Sequence, residues 1–349
     1  MSESLLDIKD LDVRFSTSEG ETRAIRGVSL TLNPREVLGI VGESGSGKSV
    51  TALAVMGLLA KNAKITGSIH LGERELLGLK DRQMSSIRGL KIAMIFQDPL
   101  TSLNPVYSVG WQVEEAIAAH QDLSNEQCRA EAIRLLDLVG IPRAEDRIDD
   151  YPHEFSGGMR QRVVIAIAMA NNPQIILADE PTTALDVTVQ AQVLEALQVA
   201  INESHASLVL ITHDLGVVAG LASRVIVMYA GRIVEIGTAD EVFYSPAMPY
   251  THGLLGSIPR VDDDGGARLR QIPGSPPSMI GTQPGCPFAP RCPLRQDVCL
   301  TEEPELRAVS STIGSEPHQA ACHFAVDVVS MPVASMFPDT SDDHEELPE

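Results

Sequence analysis

Gly42-Glu43-Ser44-Gly45-Ser46-Gly47-Lys48-Ser49 follows the spacing G-x-x-x-x-G-K-[ST] in full. An apolar run, Val37-Leu38-Gly39-Ile40-Val41, leads into it, and a helix-compatible run, Val50 to Leu59, leaves it. Strand, glycine loop and helix form the context in which a loop wraps a polyphosphate. Glycines at 42, 45 and 47 let successive backbone N–H groups turn inward without Cβ clashes. The helix start adds free N–H groups and the positive end of its dipole. Lys48 is then placed to neutralise β/γ charge and the Ser49 hydroxyl to ligate Mg²⁺. A glycine turn with a surface lysine is the plainer alternative, and the flanking strand and helix argue against it.

The chain has 349 residues, enough for two domains and a sizeable core, and a formal charge of -20. That acidity, without a dense basic stripe, excludes nucleic acid as the expected partner. No apolar run reaches the ~18–20 residues that span a bilayer. Met1 to Asp10 carries Glu3, Asp7 and Asp10 and has no basic-apolar leader pattern. The expectation is a cytosolic chain that serves a membrane only through a partner. Cys128 stands alone and reads as a packing residue, whereas the other four cysteines fall between 286 and 322. In a reducing compartment such clustering favours metal over disulfides.

Residues 7–15 and 24–32 alternate apolar and polar side chains, as strands of a small antiparallel sheet do. Phe15 closes the first run and either stacks on an adenine ring or joins the core. Ile65 to Ile69 and Lys91 to Phe96 read as further strands, the second ending at Gln97-Asp98-Pro99. Residues 110–121 and 125–139 have helical spacing, and Gly140 and Pro142 stop the second helix. A helical insert between strands of an α/β sheet is therefore expected. Phe155-Ser156-Gly157-Gly158-Met159 precedes a helical run over 163–170. With Ser156 as N-cap, this is an anion-binding helix start or a tight turn.

Ile175 to Ala178 is a buried-type strand ending in Asp179-Glu180. Beside a phosphate loop, Asp179 is placed to hold Mg²⁺ and Glu180 to polarise an attacking water. A solvated acidic turn is the alternative. A helix is expected from Val187 to about Asn202, then a strand, Ser207 to Thr212, ending at His213. His213 is a γ-phosphate contact or a structural residue. Val225 to Met228 and Ile233 to Ile236 form a hairpin across Gly231 that closes the first domain. Strands alternating with helices give a parallel α/β core with its chemistry at the carboxyl ends of the strands.

In this order, Gly42–Ser49, Gln97, Phe155–Met159, Ile176–Glu180, Ala184-Leu185-Asp186 and His213 resemble the nucleotide-binding subunit of ATP-binding-cassette (ABC) transporters. The resemblance covers residues 5 to about 250. It implies an α/β, ABC-type P-loop NTPase with a mixed-sheet core over residues 1–250 and a helical subdomain at about 98–165. It implies catalytic roles for Glu180, His213 and Gln97, the last also sensing Mg²⁺ and facing a membrane partner. Around ATP it places Phe15, Gly42, Ser44, Gly45, Ser46, Gly47, Lys48, Ser49, Val50, Gln97 and Asp179. From an opposite subunit it places Ser156, Gly157, Gly158 and Asp186. Phe155 stands where the family commonly has Leu, and it is not a phosphate-binding group.

The tail narrows the resemblance. Pro249-Tyr250-Thr251-His252, Pro284-Gly285-Cys286-Pro287-Phe288-Ala289-Pro290-Arg291-Cys292-Pro293, Cys299 and His318 to His323 resemble the extension of dipeptide/oligopeptide importer ATPases. Met248 stands where a His often precedes that Pro-Tyr-Thr. Relatives that carry nickel or sugars share the extension. Residues 251–326 are thus expected to form a small loop-rich extension and 327–349 a solvated acidic tail. Cys286, Cys292, Cys299 and Cys322, spaced C-x5-C-x6-C-x22-C, suit Zn²⁺, an iron–sulfur cluster, or no metal. The resemblance implies a [4Fe–4S] cluster. It also implies a second, distinct ATPase subunit, two transmembrane permease subunits and an extracytoplasmic peptide-binding protein, with this chain peripheral on the cytoplasmic face. A non-transport ABC ATPase is the rival reading; such chains usually pair two cassettes or insert coiled coils, and one phosphate loop and no heptad run are present here.

Overall fold

The computed structural model describes residues 4–18, 20–183, 185–258, 271–280, 284–309, 317–333 and 336–337. Two sheets carry the chain. The first is antiparallel and joins β1 (Leu6–Thr17), β2 (Gly20–Leu32), β4 (Ala63–Leu71) and β5 (Arg74–Glu75) in the order β2-β1-β4-β5. Alternation of apolar and polar residues along β1 and β2 buries Leu6, Ile8, Leu11, Val13, Ile25 and Val28 on one face.

The second sheet is the core. It contains β3 (Val37–Val41), β6 (Ile92–Ile95), β7 (Ile175–Asp179), β8 (Ser207–Thr212), β9 (Arg224–Tyr229) and β10 (Arg232–Thr238). Strands β6, β7, β8, β3 and β9 pair in parallel. β6, β7 and β8 are buried along their whole length, as their near-continuous apolar sequences require. β9 and β10 form the expected antiparallel hairpin.

The sheet does not stop there. β11 (Arg307–Ala308) and β12 (Gln319–Ala320) add two short antiparallel strands beyond β10. The region after residue 300 therefore extends the core sheet itself. Two-residue strands have no periodicity for a sequence reading to detect. A buried polar knot holds this edge. Glu235 on β10 is fully buried, and its carboxylate accepts hydrogen bonds from the Ala247 amide (2.6 Å), the Thr251 hydroxyl and His318 Nε2 (2.8 Å).

The helical insert lies between β6 and β7. Helices Val109–Ala118 and Asn125–Leu138 begin at Ser108 and Ser124, whose hydroxyls cap the first turns. The first stops three residues earlier than its periodicity suggests. His120 Nε2 is bonded to the Arg88 carbonyl and Gln121 donates to the Ala170 carbonyl, so both side chains are committed to other elements. Val113, Ile117, Leu135 and Leu136 pack with Val163, Ile165 and Ala166 of helix Gly157–Met169.

The expected acidic tail is partly docked. Val328, at the end of helix Ala325–Val328, and Phe337 are buried. The acidic residues from 339 onward lie outside the described residues. No helix among the described residues is long and apolar enough to cross a membrane.

Removing one partner from a buried polar knot leaves the rest desolvated and short of a hydrogen bond. His318→Ala is expected to cost about 3 kcal/mol in urea unfolding of the full chain. His318→Gln, which keeps a donor at that position, should recover part of the loss.

Candidate functional site

β3 delivers the chain into the glycine loop at the carboxyl edge of the core sheet, and helix Lys48–Val55 leaves from Gly47. Gly42 lies at φ +151, and a Cβ there would sit 2.2 Å from the Met228 carbonyl oxygen. Only glycine lets the loop pass this close to β9. Lys48 is almost wholly buried; its ammonium donates to the carbonyls of Gly42 (2.7 Å) and Glu43 (3.0 Å). Burial lowers its pKa, while the carboxylates of Glu180, Asp179 and Glu43 act to keep it charged.

Ser49 Oγ donates to Asp179 Oδ1 at 2.9 Å, joining the helix start to the end of β7. Burial pushes the Asp179 carboxyl above its ordinary range, and the Ser49 hydrogen bond pulls the other way. The next residue is the focus of the site. Glu180 is held at φ +47, a left-handed conformation that costs a non-glycine residue energy. Its Oε2 accepts from Gln97 Nε2 (3.1 Å) and Thr183 Oγ1 (2.8 Å), and His213 Nδ1 lies 3.3 Å away. The ends of β6, β7 and β8 thus bring Gln97, Glu180 and His213 to one oxygen atom.

These groups line a cavity of about 950 Å³ together with Gly42, Glu43, Ser44, Gly45, Gly47, Lys48, Ser49 and Val50. That is room for a nucleotide. Ser46 is buried behind the loop and Asp179 behind Ser49, so neither lines the cavity. Phe15 is not there either. It is half-buried against the core of the antiparallel sheet, beside its cross-strand partner Thr22, which does line the cavity. The rest of that wall is Ala24 from β2 and Leu254, Ser257, Gln271, Ile272 and Met279 from beyond the hairpin.

Ser156, Gly157, Gly158 and Asp186 lie away from this cavity. Ser156 caps helix Gly157–Met169, accepting from the Met159 amide at 3.4 Å. Asp186 caps helix Val187–Ser204 in the same way. Ser156, Gly157 and Asp186 are exposed. Gly158 is buried where a Cβ would fall 2.1 Å from Val189 Cγ1, so its glycine is needed for packing between the two helices.

The four clustered cysteines are free thiols and line one small cavity with Met248, Phe288 and Phe324. Burial pushes the Cys292 thiol up to about 11 and that of Cys322 up to about 12. Cys322 Sγ accepts a hydrogen bond from the Phe324 amide at 3.4 Å. Among the described residues, no three His, Cys, Asp or Glu side chains are grouped so as to hold a metal ion.

Residues 25–183 match the ABC transporter family model and residues 234–299 the C-terminal region of oligopeptide/dipeptide transporters. An oligopeptide transport ATP-binding protein of Salmonella typhimurium is 50% identical over 306 residues, covering 88% of this chain and 91% of the relative. A dipeptide transport ATP-binding protein of Bacillus subtilis is 51% identical over 322 residues, covering 92% and 94%. The chain belongs to the oligopeptide/dipeptide ABC transporter ATP-binding family. It is also 54% identical over 319 residues to an oligopeptide transport ATP-binding protein of Mycobacterium tuberculosis, but spans only 51% of that relative's length. A dimeric ATP-binding cassette solved with ADP and phosphate in a post-hydrolysis state matches with TM-score 0.60 and 30% identity, over 67% of this chain and 98% of that one. The ABC ATPase cassette fold follows from both kinds of likeness.

For this ABC cassette, the residues that sequence reasoning missed include Thr183, the Glu43 side chain, Tyr250, Ile272, Met279 and Arg291. The last five meet only through tertiary contact. A signal was present in Pro290-Arg291-Cys292, where an arginine stands inside the cysteine loop, but nothing local says where it reaches.

Because burial raises the Asp179 pKa, its ionised form costs the folded chain stability at neutral pH. Asp179→Asn, measured without nucleotide or Mg²⁺, should therefore raise the thermal midpoint at pH 7. The gain should shrink as pH falls toward the ordinary carboxylate range, where the native residue is protonated in both states.

Proposed function

We propose that the chain is an ATP-hydrolysing subunit that powers import of di- or oligopeptides through a membrane ABC transporter. The observation that carries the reading is the meeting of Gln97, Thr183 and His213 at one Glu180 oxygen, in the cavity that Lys48 and Ser49 also line. A carboxylate so placed suits a general base for water attacking a terminal phosphoryl group. Gln97 and Thr183 fix its orientation by donation. His213 can bridge the same carboxylate to a phosphate oxygen. Lys48 exchanges two backbone carbonyls for phosphate oxygens, a trade in which a buried ammonium keeps full hydrogen bonding. Mg²⁺ would be held by the Ser49 hydroxyl with Asp179 and Gln97 beside it, and would neutralise charge on the β and γ oxygens.

Ser156, Gly157, Gly158 and Asp186 would meet the same nucleotide from a second ATPase subunit. The exposure of Ser156, Gly157 and Asp186 at two helix starts outside the cavity supports this reading. A nucleotide gripped from both sides favours the closed pair, and hydrolysis releases it. The partner would be a distinct homologue, and two permease subunits with an extracytoplasmic peptide-binding protein would complete the assembly. The cassette would lie on the cytoplasmic face of the membrane. The names of the relatives support peptides as cargo.

A [4Fe–4S] cluster held by Cys286, Cys292, Cys299 and Cys322 belongs to the same proposal. What supports it is the donor set: four free thiols line one cavity, and one of them accepts an amide N–H as cluster sulfurs do. Its chemistry would be structural, bracing a loop-rich region. Full-length chain purified without oxygen is expected to be brown and to contain about four iron and four sulfide per chain; colourless protein with one zinc would reverse this assignment.

Glu180→Gln in the assembled complex should retain ATP binding and ATP-driven pairing but lower turnover by roughly 10²–10⁴-fold and stop uptake of labelled peptides. Hydrolysis at the native rate would remove Glu180 from its role. Wild-type turnover without any peptide uptake would point to another cargo.

A further inference from the structure

The cavity at the phosphate loop is closed partly by residues that lie more than 200 positions later, and one side chain gathers those contacts. Arg291 stands between Cys286 and Cys292 and is almost wholly buried. Its guanidinium donates to both Glu43 carboxylate oxygens, at 2.8 and 3.0 Å. Nε donates to the Pro273 carbonyl at 2.9 Å, and a terminal nitrogen approaches the Ile272 carbonyl at 3.5 Å. A further bond reaches the Tyr229 hydroxyl at 3.3 Å. Ile272 itself lines the cavity. One planar fork thus ties together the phosphate loop, the far wall of the cavity and the cysteine-bearing loop.

Glu43 is an awkward residue for its place. It is the second position of a loop built to hold a polyanion. Its backbone carbonyl already accepts from Lys48, and its carboxylate is one of three that act on the Lys48 ammonium. Released from its partner, that carboxylate would repel phosphate and draw Lys48 toward itself. The Arg291 fork prevents both by neutralising the charge and holding it aside, geometry that Lys cannot reproduce. The Tyr250 hydroxyl accepts from the Glu43 amide at 2.7 Å and pins the same residue from its backbone. Tyr229, Tyr250 and Phe288 pack against one another beneath these contacts, with ring centroids 4.6 to 5.4 Å apart.

We infer that Arg291 is a positioning residue for nucleotide binding: it holds Glu43 away from the phosphates and keeps the leading turn of the phosphate loop in its binding shape. Through it, the cysteine-bearing loop becomes a working part of the nucleotide site. This rests on the proposed ATP site, and the test separates the two.

Equilibrium binding of a fluorescent ATP analogue with Mg²⁺ is measured on the full-length chain and on Arg291→Met, Glu43→Gln and the double variant. Arg291→Met should weaken binding about tenfold, the scale of coupling between residues in contact. Adding Glu43→Gln should restore affinity to within about twofold of wild type, because the released carboxylate is gone. Relief of an unpaired carboxylate would also rescue stability, so affinity is compared at a temperature where circular dichroism shows every variant fully folded. In the assembled complex, Arg291→Met should raise KM for ATP far more than it lowers kcat. Unchanged affinity in Arg291→Met, or no rescue by Glu43→Gln, overturns the inference. If Arg291→Met does not fold, Arg291→Lys with and without Glu43→Gln gives the same two readings, with a smaller loss expected. Wild-type chain that binds no MgATP would instead sink the proposed ATP site.

Discussion

A buried ammonium governs the design of this cassette. Lys48 has left water, and among the described residues no charged partner touches it directly; two carbonyls of its own loop hold it. An unpaired charge in that position is tolerable only if the surroundings are strongly negative and the local backbone is fixed. Asp179, Glu180 and Glu43 supply the field. The close approach of Gly42 to β9 and the bonds at Glu43 supply the rigidity. Those same carboxylates would repel a polyphosphate, so each is restrained by a neighbour: Asp179 by Ser49, Glu180 by Gln97 and Thr183, and Glu43 by Arg291.

This pattern explains why the site spans so much of the chain. The ends of three parallel strands set Gln97, Glu180 and His213 at one edge, as sheets of this kind do. The opposite wall has no such regular origin. It is assembled from Thr22 and Ala24 on one sheet and from Ile272 and Met279 on a segment laid across β2, where Ile280 bridges to Thr22 and the Arg23 amide donates to the Met279 carbonyl. Glu303 is bonded to Arg26 and Arg232, and His318 to Glu235, so the same region is anchored to both sheets by polar side chains.

Much of this was legible in the residues alone, for a physical reason. The phosphate loop, the capped helices of the insert and the strand ending at Asp179-Glu180 are each encoded by neighbours in sequence. Helical spacing in Val113 and Ile117, or unbroken apolar character in Ile175 to Ala178, needs no partner to be read. The far wall marks where such reading stops: β2 was legible as a strand, but that Thr22 and Ala24 on it would meet Ile272 and Met279 was not. β12 was invisible because two residues cannot display a period. Arg291 and Glu43 meet across 248 positions, and charge complementarity at that separation leaves no trace in either local stretch.

That separation bears on how the molecule comes to exist. On the ribosome, Lys48 and its loop emerge long before the arginine that will secure Glu43. Contacts between such distant positions form slowly, because a long loop must close before they give any return. The nascent sheet therefore passes through a stage in which the loop residues are synthesised but not yet anchored, and the clasp that anchors them also joins the far wall to the nucleotide cavity. Maturation of the two is one event.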